Sequence, residues 1–311
     1  MYQTAPALNK FPYLKIYFHL ELSDKHQRQF ATWYIFCFLL WFAWLLFHGL
    51  LFTSLSPVFF VNRPDVTLNI LMLTDVQDLL IKYKGIRILS DTVYLLLPVM
   101  LVIAVYKKRF NRILATATIF FHLVYSLLLS SMSVVSAETF VAWMTVPVIF
   151  YARSVNGFYY LLHIVRIFFL IIFFTAGLWK LRTGAIFNTE QMSGILLRQH
   201  ASYLANESGT IYRQMILYLV NNIYLSYFLY ISAFFAEISF GIGFFTKKYD
   251  RSLIVFFCLF LLFNYIVMGI NYSAWFAFLG CLYFSGYGIS KENRGDNFSM
   301  QKIFPGKNTN S

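Results

Sequence analysis

A chain of 311 residues that is 59% hydrophobic and only 12% charged stands far from the roughly 45–50% and 25% of water-soluble domains. That much apolar surface excludes a soluble globular fold. The net charge of +12 is carried in short loops, so it reads as membrane topology and not as affinity for nucleic acid. The expected class is all-α, a polytopic transmembrane helical bundle whose first partner is the lipid bilayer.

Residues 1–30 read as a cytoplasmic N-terminal segment, with Pro6, Pro12, Lys10, Lys15, Lys25 and Arg28 ahead of the first apolar run. That run is too long and too late for a cleaved signal. Residues 31–288 read as the transmembrane domain. Apolar runs of about bilayer length predict eight membrane helices at 31–53, 91–106, 112–134, 137–151, 157–179, 216–245, 252–270 and 272–288. The second, fourth and eighth are short for a full crossing. Residues 289–311 form a polar tail expected to be disordered.

The tight turns 107–112 and 247–251 hold seven basic residues, while the turns near 135 and 271 hold none. This places both termini on the cytoplasmic side and the long loops 54–90 and 180–214 outside. In the first loop Leu68, Leu71, Met72, Val76, Leu79 and Leu80 fall on one helical stripe after Asp65. In the second, Met192, Ile195, Leu196 and Leu204 do the same. Each predicts an amphipathic helix lying in the outer interface as a roof over the bundle. Asn206-Glu207-Ser208 has the form of a glycosylation sequon in that outer loop.

Ionisable side chains inside hydrocarbon are costly and are expected to be paired or functional. The candidates are His48, His122, His163, Arg166, Lys180 and Glu237. Asp91 and Glu138 open helices at the outer face, where capping explains them. Arg166 and Glu237 fall at a similar count from the inner ends of their helices, which predicts an Arg166–Glu237 ion pair, with His163 one turn away as a possible extension. Lys180 follows Arg166 by about four turns, roughly 21 Å along the same helix face. Its amine is either a partly desolvated base or an anchor whose stem lies along the bilayer edge. The small pair Ala176-Gly177, with Trp179 beside it, predicts a close approach and a pocket just below that amine. The histidines lack metal-ligand spacing, so no metal is expected. Cys37, Cys258 and Cys281 are scattered in apolar runs and read as small buried hydrophobes.

The stretch Phe174-Thr175-Ala176-Gly177-Leu178-Trp179-Lys180-Leu181 resembles the aromatic-x-Ala-Gly-x-x-Lys-Leu signature of the HTTM domain, the membrane region shared with vitamin K-dependent γ-carboxylases. The resemblance runs over roughly 155–285. It takes in Arg166, Glu237, Gly241, Gly243, the basic turn Lys247–Arg251 and Met268-Gly269-Ile270. It implies an HTTM-like fold, with Lys180 as the base that meets a reduced quinone cofactor. The chain departs from the pattern in three places. Arg182-Thr183-Gly184 lacks the family's tryptophan, Ser133–Glu138 holds no histidine, and Asn264 stands where many relatives carry histidine. The large lumenal domain of the carboxylases is also missing. Two functions remain open: a non-catalytic or uncharacterised membrane-complex subunit with membrane-protein partners, or a carboxylase-like enzyme acting on a lipophilic or quinone-type substrate. The expected location is the bacterial inner membrane.

Overall fold

A computed structural model describes residues 12–56, 58, 60, 69–70, 72–133, 135–152, 154–206 and 209–286, with side chains from Asp24 onward, Val155 excepted. The tail at 289–311, the Asp65–Leu68 start of the first amphipathic segment, and Glu207-Ser208 of the sequon lie outside the described residues. Among the described residues the fold is all-helical.

The helices are α1 (Pro12–Phe47), α2 (Val76–Lys82), α3 (Lys84–Lys107), α4 (Asn111–Met132), α5 (Ala137–Tyr151) and α6 (Val155–Arg182). They continue as α7 (Gln191–Gln199), α8 (Ala201–Asn206), α9 (Ile211–Asn221), α10 (Ile223–Ser239), α11 (Ile242–Phe245), α12 (Asp250–Phe263) and α13 (Ser273–Ser285). A π-turn at Asn264–Met268 prolongs α12. Local chemistry sets several ends. α1 runs without an internal glycine or proline and stops at Gly49, whose φ of +64° favours a residue without Cβ. Ser154, Thr210 and Asn222 cap α6, α9 and α10 by accepting backbone N–H bonds.

Among the described residues six helices are long and apolar enough to cross a membrane: Asp24–Phe47 of α1, α3, α4, Asn156–Arg182 of α6, Ile223–Phe245 and Asp250–Met268. Each keeps an exposed apolar side, for example Leu40, Leu96, Phe120, Ile171, Phe228 and Leu259. α5 and α13 are shorter. They pack on each other and are bordered by α1, α4, α6 and α12, with Phe140, Trp143, Ile149, Ala277, Phe278 and Cys281 fully enclosed. Of the eight segments expected from the sequence, six correspond to long helices among the described residues, while the fourth and eighth, expected to be short, are the short central α5 and α13. The second helix, expected to be short from 91, begins at Lys84 and is full length, because Ile86, Ile88 and Leu89 carry the apolar pattern past Arg87.

Asp91, expected at a helix start, lies well inside α3 and is 6% exposed. Its carboxylate accepts from the backbone N–H groups of Phe52 and Thr53, at 3.3 and 2.9 Å, and from the Tyr125 hydroxyl at 2.7 Å. It therefore ties down the chain leaving α1 and does not cap its own helix.

Candidate functional site

The site is built along the seam where α6 runs antiparallel to α10 and α11. Glycines let the backbones close in. A Cβ on Gly177 would lie 2.8 Å from Ile238, one on Gly241 2.9 Å from the Phe174 ring, and one on Gly243 2.7 Å from Leu170. These contacts fix the register: Gly177 is level with Glu237 and Ile238, and Leu170 with Gly243. Arg166, one turn further down α6, therefore falls beyond the end of α11, at Thr246–Asp250.

That register corrects the expected Arg166–Glu237 pair, because the two residues have different partners. Arg166, 1% exposed, donates from Nε to Asp250 Oδ2 at 2.8 Å and from Nη2 to Asp250 Oδ1 at 2.5 Å. Nη2 also reaches the carbonyls of Gly243 and Thr246 at 2.8 and 3.3 Å. The cation satisfies carbonyls at the C-terminal end of α11 while the carboxylate sits in the first turn of α12, both favourable placements at helix ends. Counting from the inner ends failed because α6 begins at Val155, about three turns below Arg166, whereas α11 ends level with Arg166. Asp250 carried one signal in the sequence: it is an acidic residue within a basic turn.

His163 lies one turn before Arg166, within electrostatic reach of Arg166, Lys247 and Asp250. Lys247 donates from Nζ to the Ser285 carbonyl at 2.9 Å, fastening the turn to the end of α13. Burial pushes its ammonium down to about 8, the Arg166 charge acts in the same direction, and Asp250 opposes both.

At the other end of the seam, Lys180 donates from Nζ to Glu237 Oε1 at 2.7 Å, and the two side chains are 23% and 7% exposed. Helical side chains lean toward the N-terminus of their helix, so Lys180 points back down α6 and meets Glu237 opposite Gly177. Nζ also lies 5.3 Å from the centre of the Tyr230 ring, a cation–π contact. Glu237 Oε2 is buried with no partner among the described residues. Tyr230 belongs to a small apolar cluster with Met192, Leu196, Leu219 and Val267, which seats the amphipathic α7 over α10. His200, just after α7, is hydrogen-bonded at Nε2 to the Val267 carbonyl at 2.9 Å.

The pocket expected around Ala176, Gly177 and Trp179 is not what forms. Gly177 is buried against α10, but Ala176 faces outward. Trp179 is 60% exposed, with the Arg182 guanidinium 5.3 Å from its ring centre. The small pair admits a helix, because successive residues on α6 point about 100° apart and only Gly177 faces the seam. His48 donates from Nδ1 to the Trp44 carbonyl at the exposed end of α1, while His122 is enclosed between α3, α4 and α5. Among the described residues no group of three or more histidine, cysteine or acidic side chains gathers as a metal site would need. In comparisons with protein-family models, curated proteins and solved structures, nothing matches this chain.

Proposed function

We propose that this chain is a polytopic integral membrane protein of HTTM-like fold that serves as a non-catalytic subunit of a membrane complex. Its place is a bacterial inner membrane, with both termini cytoplasmic. One observation carries the non-catalytic reading: the Lys180 amine is held by Glu237 at 2.7 Å across a close-packed seam. An ammonium tied to a carboxylate has no free lone pair, so the group best placed to act as a base works as a clamp between α6 and α10. Large rings on the outward faces, Phe47, Tyr224 and Phe245 at 84%, 83% and 91% exposure, give partner helices apolar surface to pack against.

The second reading is a carboxylase-like enzyme on a lipophilic or quinone-type substrate, with Lys180 as base. The unpartnered Glu237 Oε2 favours it, since a carboxylate beside the amine could relay a proton. Amine acylation at neutral pH, followed by mass spectrometry, separates the two. The clamp requires Lys180 to react more slowly than the exposed Lys248, whereas a base requires it to react faster. Purification from a native membrane then gives a partner protein in the first case and a bound quinone in the second.

A further inference from the structure

A groove on the lipid-facing side of the seam is lined by Phe174, Ile238, Gly241, Ile242, Phe244 and Phe245, with a volume of about 450 Å³, within the roughly 300–1,000 Å³ of ligand clefts. It exists because the helix breaks between α10 and α11 at Phe240–Gly241, where the missing side chain of Gly241 lets the Phe174 ring close one wall. Its lining is apolar, and it ends at Phe245, the last residue of the span Ile223–Phe245. The next residues are the basic turn. Lys247 is committed to Ser285, while Lys248 and Arg251, three and six residues after Phe245 in the chain, are exposed.

From this juxtaposition we propose that the groove and turn form a binding site for one anionic glycerophospholipid of the bordering leaflet. One acyl chain lies along Phe174 and Ile242, and the phosphate is held by Lys248 and Arg251. Within a bilayer an acyl chain gains no hydrophobic free energy by leaving other chains for a protein groove. The groove therefore supplies shape, and selection comes from the headgroup charge meeting two cations at the interface. The proposal rests on the membrane-integral reading and is independent of whether Lys180 is a clamp or a base.

The test uses the full chain in detergent with equal amounts of phosphatidylglycerol and phosphatidylcholine, read by native mass spectrometry. Phosphatidylglycerol should be retained preferentially. Lys248→Gln and Arg251→Gln should each lower that retention about five-fold while leaving phosphatidylcholine unchanged. Both side chains are exposed, so these variants keep the fold, and Ile242→Trp, which fills the groove, should weaken both lipids. Equal retention of the two lipids, or indifference to both charge changes, overturns the proposal. So does a dimer that Ile242→Trp disrupts, which would mean a second copy of the chain occupies the groove. Failure of the chain to enter lipid nanodiscs at all would instead overturn the membrane-integral reading.

Discussion

Arg166 joins three elements because a guanidinium offers a planar fork of donors where an ammonium offers a point charge. It pairs in a bidentate manner with Asp250 and holds two carbonyls at the end of α11. Removing one member strands the other as a buried charge, at about 3–5 kcal/mol. Arg166→Met and Asp250→Asn should each lower thermal stability in detergent by that order, and the double variant should recover a large part of the loss. Arg166→Met combined with Glu237→Gln should be additive, since Glu237 sits about two to three turns up the seam. Coupling in the second pair and additivity in the first would overturn the assignment. That Arg166, Lys180 and Glu237 need partners was legible in the sequence, because an ionisable group in hydrocarbon is too costly to leave alone. Which partner each takes was not. That depends on how far α6, capped by Ser154, extends below α11, and not on helical periodicity.

At the level of helices, two internal prolines explain a buried histidine that charge reasoning alone left unplaced. Pro98 in α3 and Pro147 in α5 have no N–H to give to the carbonyl four residues earlier, which leaves those of Tyr94 and Trp143 without their helical donors. His122 of α4 is fully enclosed, and its ring faces both of those carbonyls. Its ring packs 4.6 Å from Tyr94 and 5.6 Å from Phe38, centre to centre. Neither nitrogen makes a hydrogen bond of normal geometry, and a neutral imidazole has one N–H, so it can serve only one of the two carbonyls at a time. His122→Phe keeps the aromatic volume and removes the polar partner. It should cost about 1–3 kcal/mol, the penalty for an unsatisfied buried group. Adding Pro98→Ala, which restores an N–H to the Tyr94 carbonyl, should recover part of that loss in thermal unfolding. If the second change only adds to the damage, the histidine acts by packing alone. The i to i+4 spacings Tyr94–Pro98 and Trp143–Pro147 were visible in the sequence, but the convergence of both carbonyls on His122 is a tertiary fact.

For the whole molecule, the contacts sort the loops into two ends. At one end Lys108 pairs with Asp24, Arg112 donates to the Tyr151 carbonyl, and Lys247 donates to Ser285. At the other, Asp91 holds the chain after α1, Tyr227 donates to the Ile186 carbonyl, and His200 meets Val267. Hydropathy made the eight apolar segments legible. It could not show that α5 and α13 are central, because a run of about 15 apolar residues looks alike whether protein or lipid surrounds it. Charge supplies the remaining step, from two ends to two sides of a membrane. The first end carries the turns 107–112 and 247–251 with their seven basic residues, so it should face the cytoplasm. Lys108→Cys and Asn206→Cys should then react with an impermeant maleimide from opposite sides of intact cells, Asn206→Cys from outside. The native cysteines give a low background, since Cys37 and Cys281 are buried and Cys258 is half-buried within a span. Labelling of both positions from the same side would contradict the two-ended arrangement itself. Opposite labelling with Lys108→Cys outside would keep the fold and reverse its orientation, placing the roof formed by α7 on the cytoplasmic side.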